Sequence, residues 1–176
     1  MKPWMSLIGL LISSTGCTRS PPAAKPPEVA APQAAAALDS LDSRIPVPLL
    51  PMMANHQKEN MRAHLAAVQE IVAAVGGKNF GAISRAAASL GYSEQMGQMC
   101  NHMGAGAPGF TEQALRFHHT ADTIGEAARK RDIPRVLSAL SDTLATCTGC
   151  HATFKQRMVD ETTWASLAGH VGPPHR

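Results

Sequence analysis

The residues best suited to chemistry in this chain form one short motif, CTGCH, at positions 147–151. Two cysteines enclose two other residues, and a histidine follows the second cysteine directly. Three kinds of chemistry use such a set: a redox-active thiol pair, half of a zinc site, or covalent attachment of haem. The choice depends on the elements that position the three side chains.

The first 17 residues have the pattern of an export signal. Lys2 precedes WMSLIGLLI, an apolar run too short to cross a bilayer as a mature helix. The run ends in SSTGC, whose small residues before Cys17 resemble the lipobox of bacterial lipoproteins, in which that cysteine is acylated. Ser14 stands where leucine is usual, so ordinary cleavage nearby is the alternative. The sequence predicts a periplasmic protein that a lipid on Cys17 tethers to a membrane.

Composition narrows the classes of function. Proline and alanine dominate residues 18–51, which favours an extended tether. The net charge is only +3, and no stretch clusters Lys and Arg among aromatic residues, which argues against nucleic-acid binding. Aromatic residues make up 4% of the chain, so a flat aromatic cofactor would add bulk to an alanine-rich core, although such a core can also close without one.

Four amphipathic helices are predicted between residues 52 and 160. They begin near Pro51, Phe80, Thr111 and Asp132. Spacings of four and three place one apolar seam on the first helix, formed by Met61, Leu65, Val68, Val72 and Val75. No strand-like alternation is present, so the expected fold is all-α, an antiparallel four-helix bundle. A loosely packed tail is predicted at 161–176, with a final helical turn around Trp164 as the alternative.

The fourth helix decides between the three chemistries. Its predicted seam runs from Leu137 to Met158 and includes Cys147 and His151, with Cys150 beside them, so all three side chains are expected to point inward. A redox pair normally lies at a strand-to-helix junction, which is absent here. A zinc site needs a further ligand, and the stretch with Cys100 and His102 keeps that alternative open.

C-x-x-C-H is itself the attachment sequence of c-type haem. Two thiols form thioethers with the haem vinyl groups, and the adjacent histidine ligates the iron. Attachment takes place outside the cytoplasm, in agreement with the export signal. The predicted cofactor is therefore one haem c, held by Cys147 and Cys150, with His151 as the proximal iron ligand.

With this motif on its last helix, the chain resembles the class II cytochromes c, the cytochrome c′ family. The resemblance covers residues 52–160: a first helix, a Gly/Pro-containing connection before the third, and LATCTGCHATFKQ closing the fourth, with Lys155 and Arg157 as the basic residues usual after the motif. It implies a haem-containing bundle that exchanges electrons with redox partner proteins and catalyses no reaction. Many relatives form homodimers, and the sequence leaves that state open.

In that family the first helix presents one residue to the distal face of the haem. A methionine there implies a six-coordinate electron carrier, whereas a non-ligand implies five-coordinate iron that binds nitric oxide or carbon monoxide. The first helix offers as candidates Met52, Met53, His56, Met61 and His64. Met61 lies on the seam at the family's usual depth, so it is the predicted distal ligand. Gas binding is the alternative function.

Two other groups of residues are predicted to have structural roles. QMCNHM at 98–103 crowds soft donors together, but nothing in the sequence gives them a common face, so a packing loop is predicted. His118 flanks the apolar stripe of the third helix and is expected to be solvated; contact with a haem propionate is the alternative. No Ser/His/Asp set, carboxylate pair or glycine-rich phosphate loop is present, so no enzyme activity is predicted.

Overall fold

The computed structural model describes residues 31–169, which fall into two units that divide after Asp42. The first unit contributes helix α1 (Ala31–Leu41), whose side chains are largely exposed from residue 33 onward. The sequence predicts extended chain here, and for this segment that prediction is wrong. Four consecutive alanines at 34–37 explain the helix, because alanine has the highest helix propensity.

The second unit contains a two-stranded sheet that the sequence did not predict. Strands β1 (Ile45–Leu49) and β2 (Phe154–Met158) pair in parallel, in register from the first residue to the last. The sequence predicts these residues as part of the tether and of the fourth helix, and both predictions are wrong. Alternate prolines hold β1 extended and suit an edge strand, while Val47 and Leu49 are fully buried.

Six further helices lie among the described residues of the second unit, 43–169. They are α2 (Pro51–Gly76), α3 (Phe80–Ala88), α4 (Glu94–Gly104), α5 (Phe110–Arg129), α6 (Ile133–Thr153) and α7 (Glu161–Ala168). Side chains cap four of them by accepting a hydrogen bond from the N–H three residues on; the caps are Asn79, Ser93, Asp132 and Asp160. The predicted starts near Pro51, Phe80 and Asp132 are confirmed, and α5 begins one residue before the predicted Thr111. Helix α4 lies where a connection is predicted, and α7 lies in the predicted tail.

Two apolar clusters form the core of this unit. The alanine-rich cluster consists of Ala67, Ile71, Ala74, Ile83, Ala86, Ala87, Leu90, Ala121, Ile124, Ala127, Ala128, Val136, Ala139 and Leu140. The strand cluster consists of Val47, Leu49, Ala54, Met103, Ala107, Phe110 and Phe154. The alanine-rich cluster lies between the second halves of α2 and α5 and the first half of α6. The strand cluster lies between the first turns of α2 and α5 and Phe154, the residue after α6. Helix α6 therefore runs opposite to α2 and α5.

The buried face of α2 differs from the predicted seam. Met61, Leu65 and Val72 are 42%, 70% and 56% exposed. The buried residues are instead Ala54, Gln57, Ala67, Ile71 and Ala74. Alanines allow neighbouring helices to approach closely, so the buried face follows the small residues and is rotated away from the row of larger apolar ones.

Helix α6 also ends earlier than predicted. It stops at Thr153, and the seam expected to continue to Met158 passes into β2, where Met158 is exposed. Leu137 and Leu144 are exposed too, because the buried face is formed by Val136, Ala139, Leu140 and Thr143. Between residues 31 and 169, none of the helices combines the length and the apolar character needed to cross a bilayer.

Candidate cofactor-attachment site

The CTGCH motif begins in a zone between the two apolar clusters. No residue from 55–66 of α2 or from 141–149 of α6 belongs to either cluster. Cys147 lies inside this zone, and Cys150 packs against the edge of the strand cluster. The motif therefore lies where helix-on-helix apolar packing is interrupted.

Helix α6 carries all three motif residues, as predicted, but not all of them point inward. Cys147 and Cys150 are half-buried free thiols. His151 is exposed, contrary to the expected inward orientation. Its position explains this: it follows Leu144 by seven residues, so both lie on the same flank of α6, beside the buried face.

The environment of the two thiols does not favour redox chemistry. Burial raises the pKa of Cys147 and that of Cys150, and the neighbouring Cys147 raises the pKa of Cys150 further. Both lie near the carboxyl end of α6, where the helix dipole disfavours a thiolate. Reactive thiol pairs need the opposite, a lowered pKa. Protonated, reduced thiols are compatible with thioether formation.

The zinc alternative gains no support from the described residues. Within 31–169, no three side chains of His, Cys, Asp or Glu come close enough together to hold a metal ion. Cys100 is buried in α4, which raises its pKa to about 11, and the ring of His102 packs against Trp164 at 5.0 Å between centroids. The stretch 98–103 thus has the packing role that was predicted, on a helix rather than a loop.

Two carbonyls in the last turn of α6 accept hydrogen bonds from residues that follow or lie far from the helix. The Phe154 N–H donates to the carbonyl of Cys150, and Arg44 Nη1 donates to the carbonyl of His151 at 3.0 Å. Sequence reasoning missed Arg44, because it lies 107 residues before His151 in a segment assigned to the tether. No local sequence signal connects the two.

Helix α2 faces the same zone and is joined to the segment after the motif. Gln156 Nε2 donates to the Ala54 carbonyl at 3.3 Å and to the side-chain oxygen of buried Gln57. One turn beyond Gln57 comes Met61, the predicted distal ligand, with an exposed side chain in the interrupted zone. The fold therefore places Met61 and the motif at a similar level on two antiparallel helices.

Two histidines line the zone from α2 and α5, and their burial was not predicted. His64 packs on Phe117 at 4.9 Å between ring centroids and stands edge-on to His118 at 5.7 Å. Burial, and then the nearby His118, lower the pKa of His64 to about 4. His64 precedes the fully buried Ile71 by seven residues, so both lie toward the buried face of α2, which the sequence alone did not identify.

His118 is buried rather than solvated, so the sequence-based expectation is wrong. Its Nδ1 lies 2.7 Å from the carbonyl of Leu90, which can only accept, so Nδ1 carries the proton. Burial lowers the pKa of His118. Both histidines therefore contribute neutral rings to the zone at pH 7.

Cys17, the predicted lipidation site, lies outside the described residues. Comparisons with protein-family models, curated proteins and solved structures find no match to this chain. Its function is therefore argued from the motif and the site geometry alone.

Proposed function

We propose that this protein is an exported monohaem c-type cytochrome that transfers electrons outside the cytoplasm. The observation that carries the proposal is the complete C-x-x-C-H set on one helix, with two reduced, half-buried thiols. Cys147 lies in the interrupted zone of the core, and Cys150 lies at the edge of the strand cluster beside it. The proposed fold is an antiparallel four-helix bundle of α2, α3, α5 and α6, enclosing the haem. Packing of α2 on α3, α3 on α5 and α5 on α6 supports it.

The residues around the motif fit a haem. Cys147 and Cys150 supply the two thiols, and His151 supplies the imidazole for iron. Exposed apolar side chains of Met61, Leu65 and Leu144 lie in the zone and would lose contact with water against a flat apolar group. Bound there, the haem would supply a one-electron iron couple.

Met61 is the proposed distal ligand. Its thioether is accessible on α2, at the level of the motif. A methionine opposite histidine raises the reduction potential and blocks access of exogenous ligands. The neutral rings of His64 and His118 would border this side of the site without adding charge.

Covalent haem is tested on the exported protein, produced in cells that carry out c-type haem maturation. We expect one haem to survive denaturing electrophoresis and to add its mass to the chain. Changing Cys147 and Cys150 together to Ser should abolish it, whereas Cys100→Ala, which removes a thiol elsewhere, should leave it intact. A wild-type chain without bound haem would contradict the proposal.

A second candidate function is binding of nitric oxide or carbon monoxide at five-coordinate iron. One observation favours it: His64 is half-buried one turn from Met61, where a neutral imidazole could donate a hydrogen bond to a bound diatomic molecule. Carbon monoxide added to the reduced protein separates the two functions. An unchanged low-spin spectrum supports electron transfer, and a rapid, large change supports gas binding.

The cellular setting belongs to the same proposal. The export signal and Cys17 support a periplasmic, lipid-tethered protein that meets redox partner proteins near a membrane. Labelling with a radioactive fatty acid, compared between the wild type and Cys17→Ser, tests the tether. Gel filtration of the mature protein tests whether it forms a homodimer, as many members of the resembling family do.

A further inference from the structure

Arg44 holds the end of α6 that carries the motif. Its Nη1 donates to the carbonyl of His151 at 3.0 Å and approaches the carbonyl of Phe154 at 3.4 Å. The first of these groups belongs to the proposed proximal ligand itself. Arg44 therefore contacts the backbone of His151 from a segment far away in sequence.

The physical reason for this contact is the unsatisfied end of a helix. The last four carbonyls of an α-helix have no partner within the helix. The carbonyl of Cys150 accepts from the Phe154 N–H, and the carbonyl of His151 accepts from Arg44. A guanidinium also places positive charge at the negative end of the helix dipole, and charge-assisted hydrogen bonds are stronger than neutral ones.

The strand that follows Arg44 fixes its position. The ladder with β2 begins at the next residue, with Ile45 opposite Phe154, and the Val159 N–H extends the contact by donating to the Leu49 carbonyl at 3.0 Å. Because Val47 and Leu49 are buried in the strand cluster, the strand cannot slide without exposing them. Arg44 is thus supported by a rigid base.

The His151 ring itself has little support. Among residues 31–169, no side chain hydrogen-bonds this exposed imidazole. Iron-ligating histidines usually donate their second ring nitrogen to a carboxylate, carbonyl or water, which fixes the direction of the ring. Here the direction depends on the backbone from which the ring projects.

We propose that Arg44 is the positioning residue for the proximal histidine. By fixing the His151 backbone at the end of α6, it fixes the direction in which the imidazole meets the iron. This inference rests on the proposed haem function.

The test compares Arg44→Gln with Arg157→Gln in the purified exported protein. Arg157 is exposed on β2, so its replacement removes the same charge nearby without removing the contact to α6. Urea unfolding is followed by two signals: the visible spectrum of histidine-ligated iron and the far-ultraviolet circular dichroism of the helices. Hydrogen exchange of the backbone amides at 150–155 is measured in parallel.

We expect Arg44→Gln to separate the two signals, with the iron–histidine spectrum lost at lower urea than the helices. Amide exchange at 150–155 should rise about tenfold, as expected for loss of a charge-assisted hydrogen bond. Arg44→Lys keeps the charge but lacks the planar fork, so it should give a smaller separation. Arg157→Gln should match the wild type, in which the two signals change together.

Two results would overturn the inference. A common shift of both signals in Arg44→Gln would mean that Arg44 only stabilises the fold. Equal effects of Arg44→Gln and Arg157→Gln would assign the effect to charge alone. If Arg44→Gln does not fold, the separation in Arg44→Lys decides. A chain without haem defeats the proposed function instead, and amide exchange then still tests the contact with α6.

Discussion

The two ends of helix α6 are held in different ways. Its first half packs Val136, Ala139 and Leu140 into the alanine-rich cluster, against three other helices. Its last turn is held by the Arg44 side chain, which donates hydrogen bonds to backbone carbonyls, and by the strand that follows. The first arrangement buries side chains, whereas the second fixes the backbone and leaves half-buried or exposed side chains. The end that carries the motif is therefore firmly placed while its thiols and imidazole stay accessible.

The same contrast divides helix α2. Toward its carboxyl end, Ala67, Ile71 and Ala74 are buried in the alanine-rich cluster. Toward its amino end, Met61 and Leu65 are exposed beside the half-buried His64. Stability and proposed function thus lie in different segments of the same helices, and substitutions in the two segments should have separable effects. Three predictions follow this separation, in decreasing order of their effect on the free energy of unfolding.

The largest effect is expected from Ile71→Ala. Ile71 is fully buried, so losing its side chain should cost about 3 kcal/mol in the free energy of unfolding, from lost apolar burial and the cavity left behind. Urea unfolding of the purified protein measures this. The neighbouring Val72→Ala is the control, because Val72 is mostly exposed and its loss should change the free energy by less than about 0.5 kcal/mol. A larger cost for Val72→Ala than for Ile71→Ala would mean that the buried face of α2 is the predicted seam after all.

The contrast between Ile71 and Val72 also shows which parts of the fold could be predicted from the sequence. Helix starts were predictable, since Pro51 and Asp132 act through neighbouring residues. The motif on α6 was predictable for the same reason. The rotation of α2 was not, because a seam drawn through large apolar residues passes over the alanines that bring helices close.

The strand pair and the contact of Arg44 with α6 could not be predicted from the sequence, for a different reason. Each pairing joins residues more than 100 positions apart, such as Arg44 and His151, and neither partner has a local pattern that names the other. The sequence predicts each member of such a pair from its neighbours alone. The proline-rich chain around β1 therefore predicts a tether, and the residues after CTGCH predict a continuation of the fourth helix. The contacts that hold the backbone of the candidate site, from Arg44 and β1, are therefore the part that could not be predicted from the sequence.

A smaller effect is expected when the pH is lowered through the range of the buried histidines. Burial lowers the pKa of His118, and burial together with His118 lowers the pKa of His64 from 6.5 to about 4. The unfolded chain binds these protons first, so stability is complete above pH 6.5 and is lost progressively as the pH falls toward 4. Urea midpoints measured at steps between pH 7 and pH 4 check this. The double variant His64→Gln, His118→Gln should flatten the curve over that window, and an unchanged slope would contradict the assignment.

The smallest effect on the free energy of unfolding is expected from Met61→Ala, which should nevertheless change the visible spectrum of the haem strongly. Met61→Ala removes an exposed side chain, so without the iron bond its cost would stay below about 1 kcal/mol. If Met61 is the distal ligand, the oxidised protein should pass from a low-spin to a high-spin spectrum, and its reduced form should gain carbon monoxide binding. Val72→Ala, on the same exposed row of α2 but outside the interrupted zone, should alter neither property. A low-spin spectrum that survives in Met61→Ala would transfer the distal role to another donor, and His64 is the nearest on the described helix. The two segments of α2 would then still differ as argued, because His64 belongs to the interrupted zone and Ile71 to the packed one.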